Sequence, residues 1–275
     1  MDESRVNIWG RGGGRVLHTL LLGPFICTQT DWWPSGPHCA ACSGWPEEMR
    51  ILRAAMRRGY AVLALSSRDR AGHRCWEGDE AKAIAGVVRE WVEREGLKAL
   101  PVAALGASSG GYFVSSLPAE LREMRAVGIY IAAGDEGALE ADGYPPAVFA
   151  HMPRDTNTAA GVARALRRLG ERGVATKEIK QNKRPVTASL LADRVPGFGL
   201  GAAKAFVATL QSEGHVDAHG FLLSNPRSSK WQELLPPDVK RLADGIGEEL
   251  NVAYAHHELS GFDIAATLDF FEKYF

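Results

Sequence analysis

The sequence predicts an α/β fold: a mostly parallel central sheet with helices on both faces and a helical insertion late in the chain. Three observations point there. Short, wholly apolar runs alternate with amphipathic stretches of helical period, the pattern of βαβ units whose strands are buried on both sides. One such run, 100–105, leads directly into Gly106-Ala107-Ser108-Ser109-Gly110 and then into a segment able to open a helix. Beyond Pro185 the alternation stops, and it resumes only after Pro237. The chain therefore divides into an α/β core over 1–184, a helical cap over 185–237, and a return to the core over 238–275 that ends in a helix.

Each element has a local cause. The run 16–22 reads as the first central strand and ends at Gly23-Pro24, where proline removes a ladder donor. A long loop with Asp31-Trp32-Trp33-Pro34 and Cys39 to Pro46 follows. Pro46-Glu47-Glu48 then starts a helix, with proline in the first turn and acids at the positive end of its dipole. Ile51, Leu52, Ala55 and Met56 form its apolar stripe, and Gly59 stops it. The run 60–65 is a second buried strand, and 80–95 a helix with Ile84, Val87, Val88 and Trp91 on one face. After the 100–105 strand and its helix come strands at 127–133, 147–151 and 174–180, with a helix over 158–172. In the insertion, 202–210 is helix-like, while 238–255 is helical or short-strand in pattern and 263–274 is a terminal amphipathic helix.

Composition bounds the function. The chain has 275 residues, 45% of them apolar and 24% charged, enough for one sizeable core with an insertion. Thirty-two basic against 33 acidic residues leave a net charge of -1, which gives no broad electrostatic reason to expect nucleic acid or an anionic membrane as partner. No apolar stretch approaches the roughly 20 residues that span a bilayer, and 1–15 lacks a basic region followed by an apolar core, so a cytosolic protein is the expectation. Cys39-Ala-Ala-Cys42 has the spacing of a redox pair or half a zinc site. No second such pair exists; the readings are a disulfide, zinc, or plain reduced loop cysteines, with no metal or cofactor assigned to the site.

The chemistry resides in the glycine-rich turn. A serine at the tip of a sharp strand-to-helix turn carries its hydroxyl clear of the sheet, and flanking glycines permit the close backbone passage such a turn requires. That hydroxyl is a weak nucleophile unless a base takes its proton and an acid fixes the base's tautomer. In sheets of this kind the chain order is Ser, then Asp or Glu, then His. Asp155, just past the 147–151 strand, is the candidate acid, with Asp135, one strand earlier, as the alternative; Asp155 can equally be read as a helix N-cap. His257 is the candidate base and adjacent His256 the alternative, with Glu258 as a supporting partner. For the oxyanion hole the Ser109 N–H follows from the turn, and the second donor belongs to the loop after 16–22, where Pro24 has no N–H and Phe25 is the candidate. Trp32, Trp33, Trp76 and Phe198 are candidates for an apolar acyl pocket.

On these residues, over roughly 16–180 and the last thirty positions, the chain resembles the α/β-hydrolase superfamily. Asp31-Trp-Trp-Pro, Cys39-x-x-Cys42, Pro46-Glu-Glu and Gly106-Ala-Ser-Ser-Gly-Gly together resemble a group of plant and algal members. The resemblance implies a serine hydrolase with Ser108, Asp155 and His257 as its triad, and a small-molecule acyl substrate; it fixes no particular substrate. The superfamily's frequent His-Gly after the first central strand is Leu22-Gly23 here. A hydrolase-fold protein without catalytic activity, binding a small ligand or a protein partner, is the competing expectation.

Overall fold

The computed structural model describes residues 6–10, 17–23, 32–37, 39–69, 75–77 and 80–275. Its centre is a seven-stranded sheet in the order β1-β3-β2-β4-β5-β6-β7. The strands are β1 (Val6–Gly10), β2 (His18–Gly23), β3 (Tyr60–Leu65), β4 (Val102–Ala107), β5 (Met124–Tyr130), β6 (Ala147–His151) and β7 (Thr176–Lys180). All neighbours are parallel except β1, which runs antiparallel to β3 along one edge. The chain turns outward from β2 in both directions, to β3 on one side and β4 on the other. That places the topological switch point, and hence the crevice for a ligand, at the carboxyl ends of β2 and β4.

Both faces of the sheet are covered, which is why its strands are continuous apolar runs. Alternate residues divide between the faces: Leu21, Leu63, Ala104, Ile129 and Phe149 go to one cluster, and Leu20, Leu22, Val62, Leu105 and Val148 to the other. The first cluster packs on α2 (Glu80–Arg94), α3 (Ser109–Ser116) and α5 (Thr156–Glu171), through Ile84, Val88, Trp91, Phe113, Val162 and Leu169. The second packs on α1 (Pro46–Arg57) and α9 (Ile264–Glu272), through Ile51, Leu52, Leu268 and Phe271. A four-residue helix, α4 (Glu136–Leu139), lies between β5 and β6.

A third apolar cluster is built almost wholly from helices. It joins α6 (Ala188–Arg194), α7 (Leu200–Ser212) and α8 (Ala243–Tyr254) with three intervening 3-10 turns, around Leu191, Phe206, Leu210, Trp231, Ile246 and Leu250. By packing, α8 belongs with these helices.

Beyond the short helices α4 and α6, which the sequence pattern did not mark, β1 and the end of β5 depart from expectation. β1 went unread, because five residues between glycine-rich and charged stretches carry too short an alternation to register. β5 ends at Tyr130, three residues short of the predicted 133, because Ile131 takes a left-handed backbone with φ of 42° and turns the chain out of the sheet. Such a conformation at a β-branched residue is costly and persists only where neighbours impose it; the Ile131 N–H donates to the Ala150 carbonyl at 2.7 Å.

Candidate active site

The carboxyl ends of β2, β4, β5 and β6 are in register, with Gly23 opposite Gly106, Ala107 opposite Tyr130, and Tyr130 opposite Ala150. Ser108 follows β4 at this edge and serves as the N-cap of α3. Its φ of 52° and ψ of -118° lie in a region that non-glycine residues rarely occupy. The strained turn is pinned from both sides: the Ser108 N–H donates to the Tyr130 carbonyl at 2.9 Å, and the Ser108 carbonyl accepts from the Tyr112 N–H at 3.1 Å.

The glycines around it are required by space. A β-carbon on Gly106 would stand 2.1 Å from the Gly110 carbonyl oxygen, and one on Gly111 would stand 2.7 Å from the β-carbon of Ala132. Strand, turn and helix are packed too closely for any larger residue at either position.

Two side chains from distant parts of the sequence converge on the hydroxyl. Nε2 of His257 lies 3.0 Å from Ser108 Oγ, and Nδ1 of the same ring lies 2.5 Å from Asp155 Oδ2. His257 is about one-third exposed, so the ring borders the solvent from which a substrate would arrive. His256 is turned elsewhere, its ring 6.5 Å from that of Tyr254. Local backbone separates the two histidines: Ala255 and His257 both have positive φ, 60° and 49°, which sends adjacent side chains in different directions.

Asp155 both caps a helix and faces the imidazole. As N-cap of α5 it accepts from the Thr158 N–H at 3.2 Å through Oδ1, while Oδ2 takes the Thr158 hydroxyl at 2.6 Å together with His257. Burial pushes its carboxyl up, but the hydrogen bonds from Thr158 and His257 outweigh that and hold it below its ordinary value. The acid is therefore an anion when the imidazole faces it. Asp135 caps α4, accepting from the Ala138 N–H at 2.8 Å, and takes no part in the His257 contact.

Other sequence candidates are distributed unevenly. Ser109 opens α3, with its backbone N–H at the positive end of the helix beside Ser108. Phe25, Pro24 and Asp31 lie outside the described residues. Trp32 is wholly buried in the core on the α1 side, and Trp33 packs partly buried against the same cluster. Trp76 stacks on Phe113, ring centroids 3.7 Å apart, and the two line a cavity of about 250 Å³ with Ser109, Tyr112, Ser116 and Asp135. Phe198 is interior to the helical cluster. Cys39 and Cys42 form a disulfide, so among the readings of that pair neither zinc ligation nor free thiols describes the structure.

Sequence reasoning missed Arg227. It lies in the 3-10 turn Pro226–Ser228, and its guanidinium donates to the His256 carbonyl at 2.9 Å, the His257 carbonyl at 2.9 Å and Glu258 Oε2 at 2.7 Å. Nothing periodic flags such a residue; Asn225-Pro226 marks the turn that carries it, and Asn225 Oδ1 accepts from the Arg227 N–H at 3.0 Å.

No family model and no curated protein sequence matches the chain. Among solved structures, dienelactone hydrolase from Anabaena variabilis aligns with 74% of this chain and 88% of its own, at 17% identity and a TM-score of 0.49. An esterase from the archaeon Pyrobaculum calidifontis aligns with 73% of this chain and 78% of its own, at 15% identity and a TM-score of 0.45. Esterase B from Lactobacillus rhamnosis aligns with 62% of this chain and 67% of its own, at 14% identity and a TM-score of 0.43. The architecture itself is a mostly parallel sheet with helices on both faces. Likenesses this distant say nothing of chemistry, which has to be read from the residues themselves.

Proposed function

We propose that the protein is a serine hydrolase cleaving an ester, thioester or amide of a small acyl substrate, with Ser108 as nucleophile, His257 as general base and acid, and Asp155 as the carboxylate that orients the imidazole. One observation carries the reading. A serine hydroxyl on a strained strand-to-helix turn is hydrogen-bonded at 3.0 Å to a half-buried imidazole, whose other nitrogen rests 2.5 Å from a carboxylate held ionised.

The chemistry follows from those contacts. Asp155 accepts a hydrogen bond from Nδ1–H, which keeps the proton on Nδ1 and leaves Nε2 as the lone-pair nitrogen facing Ser108. Ser108 Oγ attacks the acyl carbon as its proton passes to Nε2, and the imidazolium is stabilised by Asp155. The oxyanion is met by the Ser109 N–H and by a second N–H from the loop after β2, for which Phe25 remains the candidate. His257 returns its proton to the leaving group; water then repeats the sequence and frees the acid. The cavity beside Ser109, walled by Trp76 and Phe113, suits a short acyl chain or a flat apolar group. Residues 185–237 act as a cap over this edge of the sheet.

The test is turnover of a short p-nitrophenyl ester by the intact chain. Hydrolysis by the wild type that disappears in Ser108→Ala supports the assignment. Equal rates for the two proteins would end it.

A further inference from the structure

The helical segment reaches the loop that bears His257. The backbone that presents His257 is strained at two of three consecutive residues, Ala255 and His257, neither of them glycine. Backbone of this kind persists only where its surroundings over-determine it. The restraint upstream is visible: Arg154 Nη1 donates to the Tyr254 carbonyl at 3.2 Å. Downstream of Ala255, whose N–H donates to the Asn251 and Val252 carbonyls, the backbone is restrained by Arg227, whose fork spans the His256 and His257 carbonyls and the Glu258 carboxylate. Glu258 is fixed in turn. It is buried, and it also accepts from Asn251 Nδ2 at 3.1 Å on α8 and from the Leu259 N–H at 3.1 Å. Arg227 is itself pre-set by the Asn225 cap of its turn, which packs against α8, and its neighbour Pro226 is buried.

We propose that Arg227 is the positioning residue of the reaction: reaching from the helical segment, its guanidinium clamps the His256 and His257 carbonyls and so holds the imidazole at the one place from which it touches both Ser108 and Asp155. The inference rests on the hydrolase reading above and deepens it. It makes the helical segment a working part of the site, because any displacement of the Pro226–Ser228 turn loosens the base. A planar fork that binds three acceptors is specific to arginine; lysine supplies a point charge and cannot span two carbonyls.

The experiment compares wild type with Arg227→Ala and Arg227→Lys on a short p-nitrophenyl ester. A misplaced imidazole lowers kcat by about a hundredfold and leaves KM little changed, because substrate contacts remain. Guanidinium chloride at low concentration restores part of the alanine variant's rate by occupying the vacated fork, and the lysine variant stays slow. Unchanged kcat in R227A, or a loss shared by KM that guanidinium does not relieve, overturns the proposal. Arg227→Ala leaves the buried Glu258 without its cation, so Arg227→Ala combined with Glu258→Gln is assayed beside it with circular dichroism confirming the fold, and the same loss of kcat is expected. The far-downfield proton resonance of the His257–Asp155 hydrogen bond is read in parallel. An inert wild type would count against the hydrolase reading and leave the clamp to this signal alone: its broadening in R227A supports the clamp, and an unaltered signal refutes it.

Discussion

A hydroxyl attacks a carbonyl at neutral pH only when something removes its proton as the bond forms, and in the proposed reaction three residues from three parts of the chain, joined at this sheet edge by hydrogen bonds, divide that work. Ser108 was legible in the sequence because the turn that bears it demands glycines at set places, and Asp155 because it follows a strand whose end lies at the same edge. Chain order, and the need for one of two adjacent side chains to turn away, favoured His257 over His256; the feature that separates them, left-handed backbone at Ala255 and His257, is encoded by no side-chain pattern. The two aspartates separate cleanly by substitution. Asp155→Asn is expected to lower kcat by about ten-thousandfold, since an amide presents a donor to Nδ1 and favours the wrong tautomer. Asp135→Ala removes the cap of α4 and one wall of the cavity beside Ser109, costing about 1 kcal/mol in denaturant unfolding and moving KM, with no loss of kcat on that scale. Comparable kinetic losses in both variants would mean that Asp155 acts only as a cap.

Among the elements, the closest tolerance is where β4, α3 and β5 meet. Gly106→Ala forces a methyl into the Gly110 carbonyl, and Gly111→Ala forces one against Ala132. Both substitutions should destabilise the fold by about 1–3 kcal/mol or more, with Gly106→Ala the worse because its overlap is deeper, 2.1 Å against 2.7 Å, and neither neighbour can swing away. Chemical denaturation of the two variants checks the ranking, and a Gly106→Ala protein as stable as the wild type would contradict the packing described. The buried strands were legible because strands covered on both faces must be apolar throughout, as β3 and β4 are. β1 and the end of β5 were not. The first is short, and the second is decided by a backbone turn at Ile131, two residues before the apolar run ends.

Across the whole molecule, the helical cluster is tied to the sheet by buried charge. Arg194 of α6 bridges Glu47 of α1 and Glu249 of α8, and Glu47 also accepts from the Gly261 N–H at 2.7 Å on the loop beyond His257. The sequence showed Glu47 as a helix-start acid and gave no sign that it would be buried among residues some 150 to 200 positions away, since such pairing exists only once the helices are in place. Burial raises Glu258 to about 7 and, together with the nearby Glu47, Glu249 to about 9, from an ordinary 4.5. Burial and the adjacent Glu48 raise Glu248 as well. These carboxyls bind protons more tightly in the folded chain than in the unfolded one. Their contribution to stability is therefore complete at about pH 4.5 and is lost as pH rises through about 7 and about 9. The melting temperature should fall between about pH 6 and about pH 9, and Glu249→Gln, which cannot ionise, should flatten the alkaline part of that fall. A melting temperature that rises over this range would contradict the burial of these acids. Treating the folded protein with a fluorophosphonate and locating the adduct by mass spectrometry probes the proposed nucleophile itself. Phosphonylation of Ser108, slowed when His257 is replaced by alanine, is the expected result, and folded protein that stays unlabelled at Ser108 would contradict it.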